Sequence, residues 1–412
     1  MSASALDDIR VLDLTRLLPG GFCSLLLADF GADVVKVEDT AMGDYVRWAP
    51  PYYGSEDQQP LGTRSALYLA LNRGKRSVRL DLKADDGREA MLRLAREFDV
   101  VLESFRPGVL DRLGCGYEAL REVNPRVVYC AITGYGQTGP ATNRAGHDMN
   151  YLGLNGLLGL TGERGGRPIQ SAGQIADIGG GALMAAFGVM AALRERERSG
   201  EGQLVDVSMT DGSLAWLAMV AAQYLCDGRV PRRGEGQLSG GILCYHPYEA
   251  ADGWVTCGAL EPKFWRAFCE GVGRPELVAA QFEAPGSDPW REVAEIFKGR
   301  TRDEWLAFND EHDAMIEPVL DLDEALDSEL VRDREMVVDL DQPGLGTVRQ
   351  LGVPVKLSRT PGAVERPAPA LGEHTEDVLR ESGFGDDEIE ALIESGAAAG
   401  TNEASQQREF LA

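Results

Sequence analysis

Three short stretches carry the residues that could do chemistry. The first is AGHDMNY (145–151), which places His147, one of only four histidines in the chain, beside Asp148. The second is IADIGGG (175–181), where Asp177 precedes three consecutive glycines and a long apolar run. The third is GALEPKFW (258–265), with Glu261 directly before Pro262. An imidazole and a carboxylate, each at a helix start, are groups that can take and return a proton. Removing a proton beside a thioester carbonyl needs a base near the α-hydrogen, donors for the enolate oxygen, and an acid to return the proton. If the carbon is inverted, base and acid stand on opposite faces. Helix-start N–H groups after Asp177 would favour the developing negative charge. Each residue also has a plainer reading. Asp before glycines can simply cap a helix, His before Asp can hydrogen-bond within a loop, and Glu before Pro can open a helix.

A second set is basic. NRGKRSVRLDLK (72–83) holds Arg73, Lys75, Arg76, Arg79 and Lys83, and SFRPGVLDRLG (104–114) adds Arg106 and Arg112. In a chain of net charge −25, such clustering beside strand ends suggests a polyphosphate site. The alternative is a strand whose alternate cations face water.

The elements that must position these groups follow from hydrophobic pattern. Runs at 9–14, 33–38, 77–82, 99–104 and 126–133 read as buried strands, and 85–98 reads as a helix. Strands alternating with helices imply an α/β fold with a largely parallel sheet covered on both faces. The first strand-to-helix turn, TRLLPGG, lacks the GxGxxG of a dinucleotide site. HDMNYLGLNGLLGLTG reads as one short helix. In the long helix after Asp177, Leu183, Phe187, Met190 and Leu193 recur at helical spacing and read as core. GQLVDVSM reads as a strand, and ILCYHPYEAADGWVTCGA as a hairpin turning at Asp252-Gly253. Several helices follow, among them EPKFWRAFCEGV, WREVAEIF and RDEWLAFNDEH, then strands near 336–340 and 346–351 and two terminal helices. The last dozen residues read as frayed.

With 412 residues the chain exceeds one ordinary core. The pattern divides it into a large first part (1–225), a small domain (226–340) and a return segment (341–412). No uncharged apolar run reaches 18 residues, so a membrane span is not expected. The acidic N-terminus MSASALDDIR is unlike an export signal. Seven scattered cysteines without a CxxC point to free buried thiols and a cytoplasmic protein. The histidines form no HExxH or HxH, so no metal site is expected, and the acidic balance argues against nucleic acid as a partner.

The chain resembles the class III CoA-transferase family, also called CaiB/BaiF, from about residue 8 to 370. VLDLTRLLPGGFCSLLLADFGADVVKVE, GKRSVRLDLK, SFRPGVLDRLG, ITGYGQTGP, IADIGGG, SGEGQLVDVSM and LGEHTEDVL carry the resemblance in order. It implies a Rossmann-like large domain, a smaller α+β domain and an interlocked homodimer. It also implies coenzyme A carried as the substrate thioester, with no prosthetic group. By the same resemblance Arg47, Asn72, Lys75, Lys83, Phe105, Arg112, Asp148 and Tyr151 line the CoA site. Arg47 stands there for a basic residue that many relatives place just after the second strand. Within the family, transferases use the aspartate matching Asp177 as a nucleophile. The α-methylacyl-CoA racemase branch carries GHD(I/M)NY, and the residues matching His147 and Asp177 form its acid/base pair, with the match to Glu261 supporting the histidine. The glycine-rich flap of several transferases has only LSGGI (238–242) as a counterpart. The expectation is a racemase of 2-methylacyl-CoA thioesters, with an acyl-CoA:carboxylate CoA-transferase as the alternative.

Overall fold

The computed structural model describes residues 4–55 and 61–401; the expected frayed tail, from residue 402 on, lies outside them. Six strands, β1 (Arg10–Asp13), β2 (Asp33–Glu38), β3 (Arg76–Leu80), β4 (Val100–Glu103), β5 (Val128–Thr133) and β6 (Leu204–Ser208), form one sheet, closed at its edge by a two-residue strand, Ala398–Ala399. The order runs Ala398–Ala399, β3, β2, β1, β4, β5, β6. All neighbours are parallel except the terminal strand, which is antiparallel to β3. Every residue of β4 and β5 is buried, which is why these strands read as unbroken apolar runs. The helix Asp85–Ala95 buries Gly87, Ala90, Met91, Leu94 and Ala95, one face at helical spacing, and carries Asp85 and Asp86 in its first turn and Arg93 in its last. The fold is thus mixed α/β with a mostly parallel sheet, as the sequence implies.

The chain divides into two compact units, one of residues 1–155, 173–216 and 330–412, the other of 156–172 and 217–329. The second unit contains β7 (Tyr245–Ala250), β8 (Gly253–Gly258) and β9 (Ile316–Pro318), an antiparallel sheet in which Ala250 pairs with Gly253, so the hairpin turns at Ala251-Asp252. Its core stacks Phe268 on Phe297 at 5.2 Å, with Trp265 and Trp305 buried beside them.

Two helical readings change. The predicted helix after His147 is two helices, Asp148–Leu154 and Leu157–Leu160, separated where Gly156 takes φ 89°. The glycine-rich stretch is not a helix opening after Asp177. Ile175–Ala182 is a π-helical segment that already contains Asp177 and runs straight into the helix Leu183–Ser199. Together these 25 residues are long and apolar enough to cross a membrane by length and composition alone. Here the glycine-rich half packs on the helices Leu17–Asp29 and Met209–Leu214. The expected core face is the opposite of core: Leu183, Met184 and Met190 are 37–40% exposed and Phe187 is 73% exposed, while Leu193 is buried. Of the seven free cysteines only Cys226 is exposed; the others are buried as expected.

Candidate active site

In a sheet ordered β3-β2-β1-β4, the chain leaves β1 and β4 in opposite directions, and ligands of such sheets sit beyond the carboxyl ends at that switch. A cavity of about 620 Å³ occurs there. The turn after β1 supplies Arg16, Leu17 and Pro19, the turn after β4 supplies Ser104 to Pro107, and the turn after β5 supplies Gly134 and Tyr135. His147, Asn150, Tyr151 and Asp177 complete the wall.

The local geometry explains why AGHDMNY has these residues. Tyr151 donates its hydroxyl hydrogen bond back to the Gly146 carbonyl and meets Tyr135 edge-on at 5.2 Å. A Cβ at Gly146 would lie 2.7 Å from both the Tyr135 hydroxyl and the Tyr151 ring. Only glycine therefore lets the chain pass under the two rings and deliver His147 to the cavity. His147 is the N-cap residue of Asp148–Leu154; its N–H donates to Asn150 Oδ1 at 3.0 Å, and its carbonyl accepts from Asn150 N–H at 2.8 Å. Asp148 is buried, and its Oδ1 accepts from the backbone N–H groups of Ala176 and Asp177 at 2.6 and 3.0 Å. Asp148 is thus a brace between the histidine segment and the aspartate segment.

Asp177 is half-buried, and burial followed by the charge of Asp148 pushes its carboxyl up to about 6. A carboxylate poised there can exchange a proton in either direction near neutral pH. Of the amides around Asp177, Asp148 takes those of Ala176 and Asp177, and Gln174 O accepts from Ile178 N–H at 2.9 Å. The glycines serve close packing instead. A Cβ on Gly180 would come within 2.6 Å of the Met209 carbonyl and 2.7 Å of Ser213 N.

Of the residues expected at a CoA site, Phe105 and Tyr151 line this cavity. Lys83 and Arg112 are exposed and stand outside its lining. Arg47, Asn72 and Lys75 are buried and paired within the interior. Lys75 Nζ reaches Asp13 at 3.2 Å, Ser24 at 2.7 Å and Asn72 Oδ1 at 2.9 Å. Arg47 pairs with both oxygens of Glu38 at 2.6 and 2.7 Å and stacks on Tyr68. Others of the basic set are used the same way: Arg73 on Asp29, Arg76 on Asp33 and Glu381. The cations that do line the cavity are Arg16, Arg106 and Arg144. Arg16 stacks over Phe105 and Tyr45. Arg16 and Arg144 escaped the sequence reading, although each sits next to a recognised feature: the end of β1 and His147. Leu17 also escaped it, a non-glycine residue at φ 60° on the cavity wall. Glu261 belongs to the second unit, exposed at the N-cap of the helix Pro262–Gly271.

Comparison with known proteins agrees with this architecture. The model of CoA-transferase family III matches residues 6–375, and the chain belongs to that family. It is 38% identical to succinyl-CoA:mesaconate CoA-transferase of Haloarcula hispanica over 92% of this chain and 97% of that one. It is equally 38% identical to α-methylacyl-CoA racemase of Mus musculus, over 93% and 95%. The crystal structure of a CaiB/BaiF family protein from Brucella suis superposes with TM-score 0.79 at 32% identity, covering 92% of this chain and all of that one. The family comprises enzymes, and identity favours neither chemistry.

Proposed function

We propose that the protein is a racemase of 2-methylacyl-CoA thioesters. The observation that carries the reading is that His147 and Asp177 share one cavity and are braced to each other through Asp148. One would remove the α-proton from one enantiomer and the other from its mirror image, through a planar enolate; each is the acid in its partner's direction. The position of the Asp177 carboxyl, near 6, suits that double duty. For the enolate oxygen, the amides at the first two positions of the helix Asp148–Leu154 are better placed in principle than those after Asp177, because first-turn N–H groups have no partner within a helix. Arg16, Arg106 and Arg144 supply positive charge for the phosphates of CoA, which enters as part of the substrate.

The second reading, a CoA-transferase with Asp177 as nucleophile, is favoured by the likeness to the mesaconate enzyme. Deuterium uptake separates the two. Incubation of a 2-methylacyl-CoA in D₂O, with no acceptor acid, gives rapid α-exchange for a racemase. Absence of exchange together with CoA transfer to an added carboxylate would refute the racemase reading.

We also propose a homodimer. The exposed face of Leu183, Met184, Phe187 and Met190 is a contiguous helix face of the kind that subunit interfaces cover.

A further inference from the structure

Loss of the α-proton breaks a C–H bond and passes the proton to a base. The electron pair becomes the C=C bond of an enolate, and the charge settles on the former carbonyl oxygen. The planar enolate is common to both directions, so one set of hydrogen-bond donors serves both enantiomers. The Asp177 segment offers few: Asp148 accepts from the amides of Ala176 and Asp177, and Gln174 O from that of Ile178.

Asn150 has a donor to spare. It is exposed, lines the cavity with His147 and Asp177, and stands three residues after His147, in the first turn of the helix Asp148–Leu154. Its backbone N–H donates to the His147 carbonyl at 2.8 Å, and its Oδ1 accepts from the His147 N–H at 3.0 Å. A backbone N–H can be met only by the oxygen of a side-chain amide, so this bond fixes which way the amide faces. Nδ2 is thereby turned away from the His147 backbone, and its two hydrogens have no partner among the described residues. The residue type points the same way. An aspartate would accept from the His147 N–H equally well, and a negative charge in a first helical turn is favoured. Asparagine forgoes that charge and brings a donor in its place.

We propose that Asn150 is a catalytic residue whose Nδ2 donates a hydrogen bond to the thioester carbonyl oxygen and holds it as its negative charge develops. No proton leaves the amide. The assignment rests on the racemase reading and deepens it. A residue that only positioned His147 would matter for one enantiomer, the one whose proton His147 takes; a donor to the shared enolate matters for both.

The test is α-hydrogen exchange in D₂O on each enantiomer of one 2-methylacyl-CoA, with wild type, N150D and N150A. N150D keeps an oxygen for the His147 N–H and lacks the donor. N150A lacks both and adds no charge. Both variants should exchange both enantiomers about 10²–10³-fold more slowly than wild type, as removal of one oxyanion donor does. The dissociation constant of isobutyryl-CoA, measured calorimetrically, should stay near that of wild type, because a neutral carbonyl gains far less from the donor than the enolate does. N150D carries the test if N150A does not fold. Exchange by N150D at the wild-type rate for either enantiomer, or a loss confined to one enantiomer in both variants, overturns the proposal and leaves the racemase reading in place. A wild type that exchanges neither enantiomer and transfers CoA to an added carboxylate overturns the racemase reading and this inference with it.

Discussion

At the scale of the residue, His147 and Asp177 matter because of what holds them. Gly146 is fixed by two aromatic rings and Asp148 by two backbone amides. The D148N variant keeps an oxygen for those amides but loses the charge that helps hold the Asp177 carboxyl up. The acidic limb of the kcat/KM profile should therefore move to lower pH, and a limb that stays or rises contradicts the brace as described. G146A should fold but place His147 wrongly, lowering kcat by about 10²-fold or more, as misplacement of a catalytic group does. Reading at this scale had mixed success. AGHDMNY announced its histidine, because a rare imidazole beside a glycine and a carboxylate stands out. The burial and pairing of Lys75, Asn72 and Arg47 were not legible, because Asp13 and Glu38 lie far away in sequence or look like ordinary strand residues. Nothing local distinguishes a cation waiting for phosphate from one already neutralised inside.

At the scale of the element, the parallel strands were legible because burial on both faces leaves an unbroken apolar run, as in β5. The π-helical segment was not, since Asp177 followed by glycines fits a helix start equally well. Its cause is packing. Gly180 and Gly181 let the segment lie against Met209, and wide helical turns of this type recur at functional sites. G180A should cost about 1–3 kcal/mol of stability, read as a lowered midpoint in chemical denaturation; an unchanged midpoint contradicts the close contact. The helix Leu183–Ser199 shows the other limit. Helical periodicity says that a face is apolar, not whether its own unit or another chain covers it. F187E should leave the monomer's melting unchanged and shift sedimentation from dimer to monomer. A variant that still sediments as a dimer removes this face from the interface.

At the scale of the molecule, a chain of net charge −25 buries several cations, Lys36, Arg47, Arg73 and Lys75 among them, inside one unit. Asp13 is joined to Lys75 and Ser24, Lys36 to Asp44, and Glu38 to Arg47. Against the cost of burial, Lys36 and Lys75 draw Asp13 down to about 2, and Arg47 does the same for Glu38. A carboxylate depressed in the folded state contributes stability that is complete above its unfolded value, about 4, and is lost as pH falls through the folded one. Thermal stability should therefore hold at neutral pH and decline steeply between about pH 4 and 2. In K75M the Asp13 charge loses one of its two buried cations, a change that lowers stability at pH 7, and the acid decline contributed by Asp13 becomes shallower. A K75M protein with wild-type stability would show that the pair is not holding the sheet.

The pair His147 and Asp177 is tested most directly by following each enantiomer of one 2-methylacyl-CoA separately in D₂O, with wild type, H147A and D177N. Two opposed bases predict that wild type exchanges and inverts both enantiomers. Each variant should lose inversion by about 10²–10⁴-fold, and each should still exchange the α-hydrogen of one enantiomer only, a different one for the two variants. Inversion at the wild-type rate by H147A, or loss of exchange on the same enantiomer in both variants, would contradict the assignment.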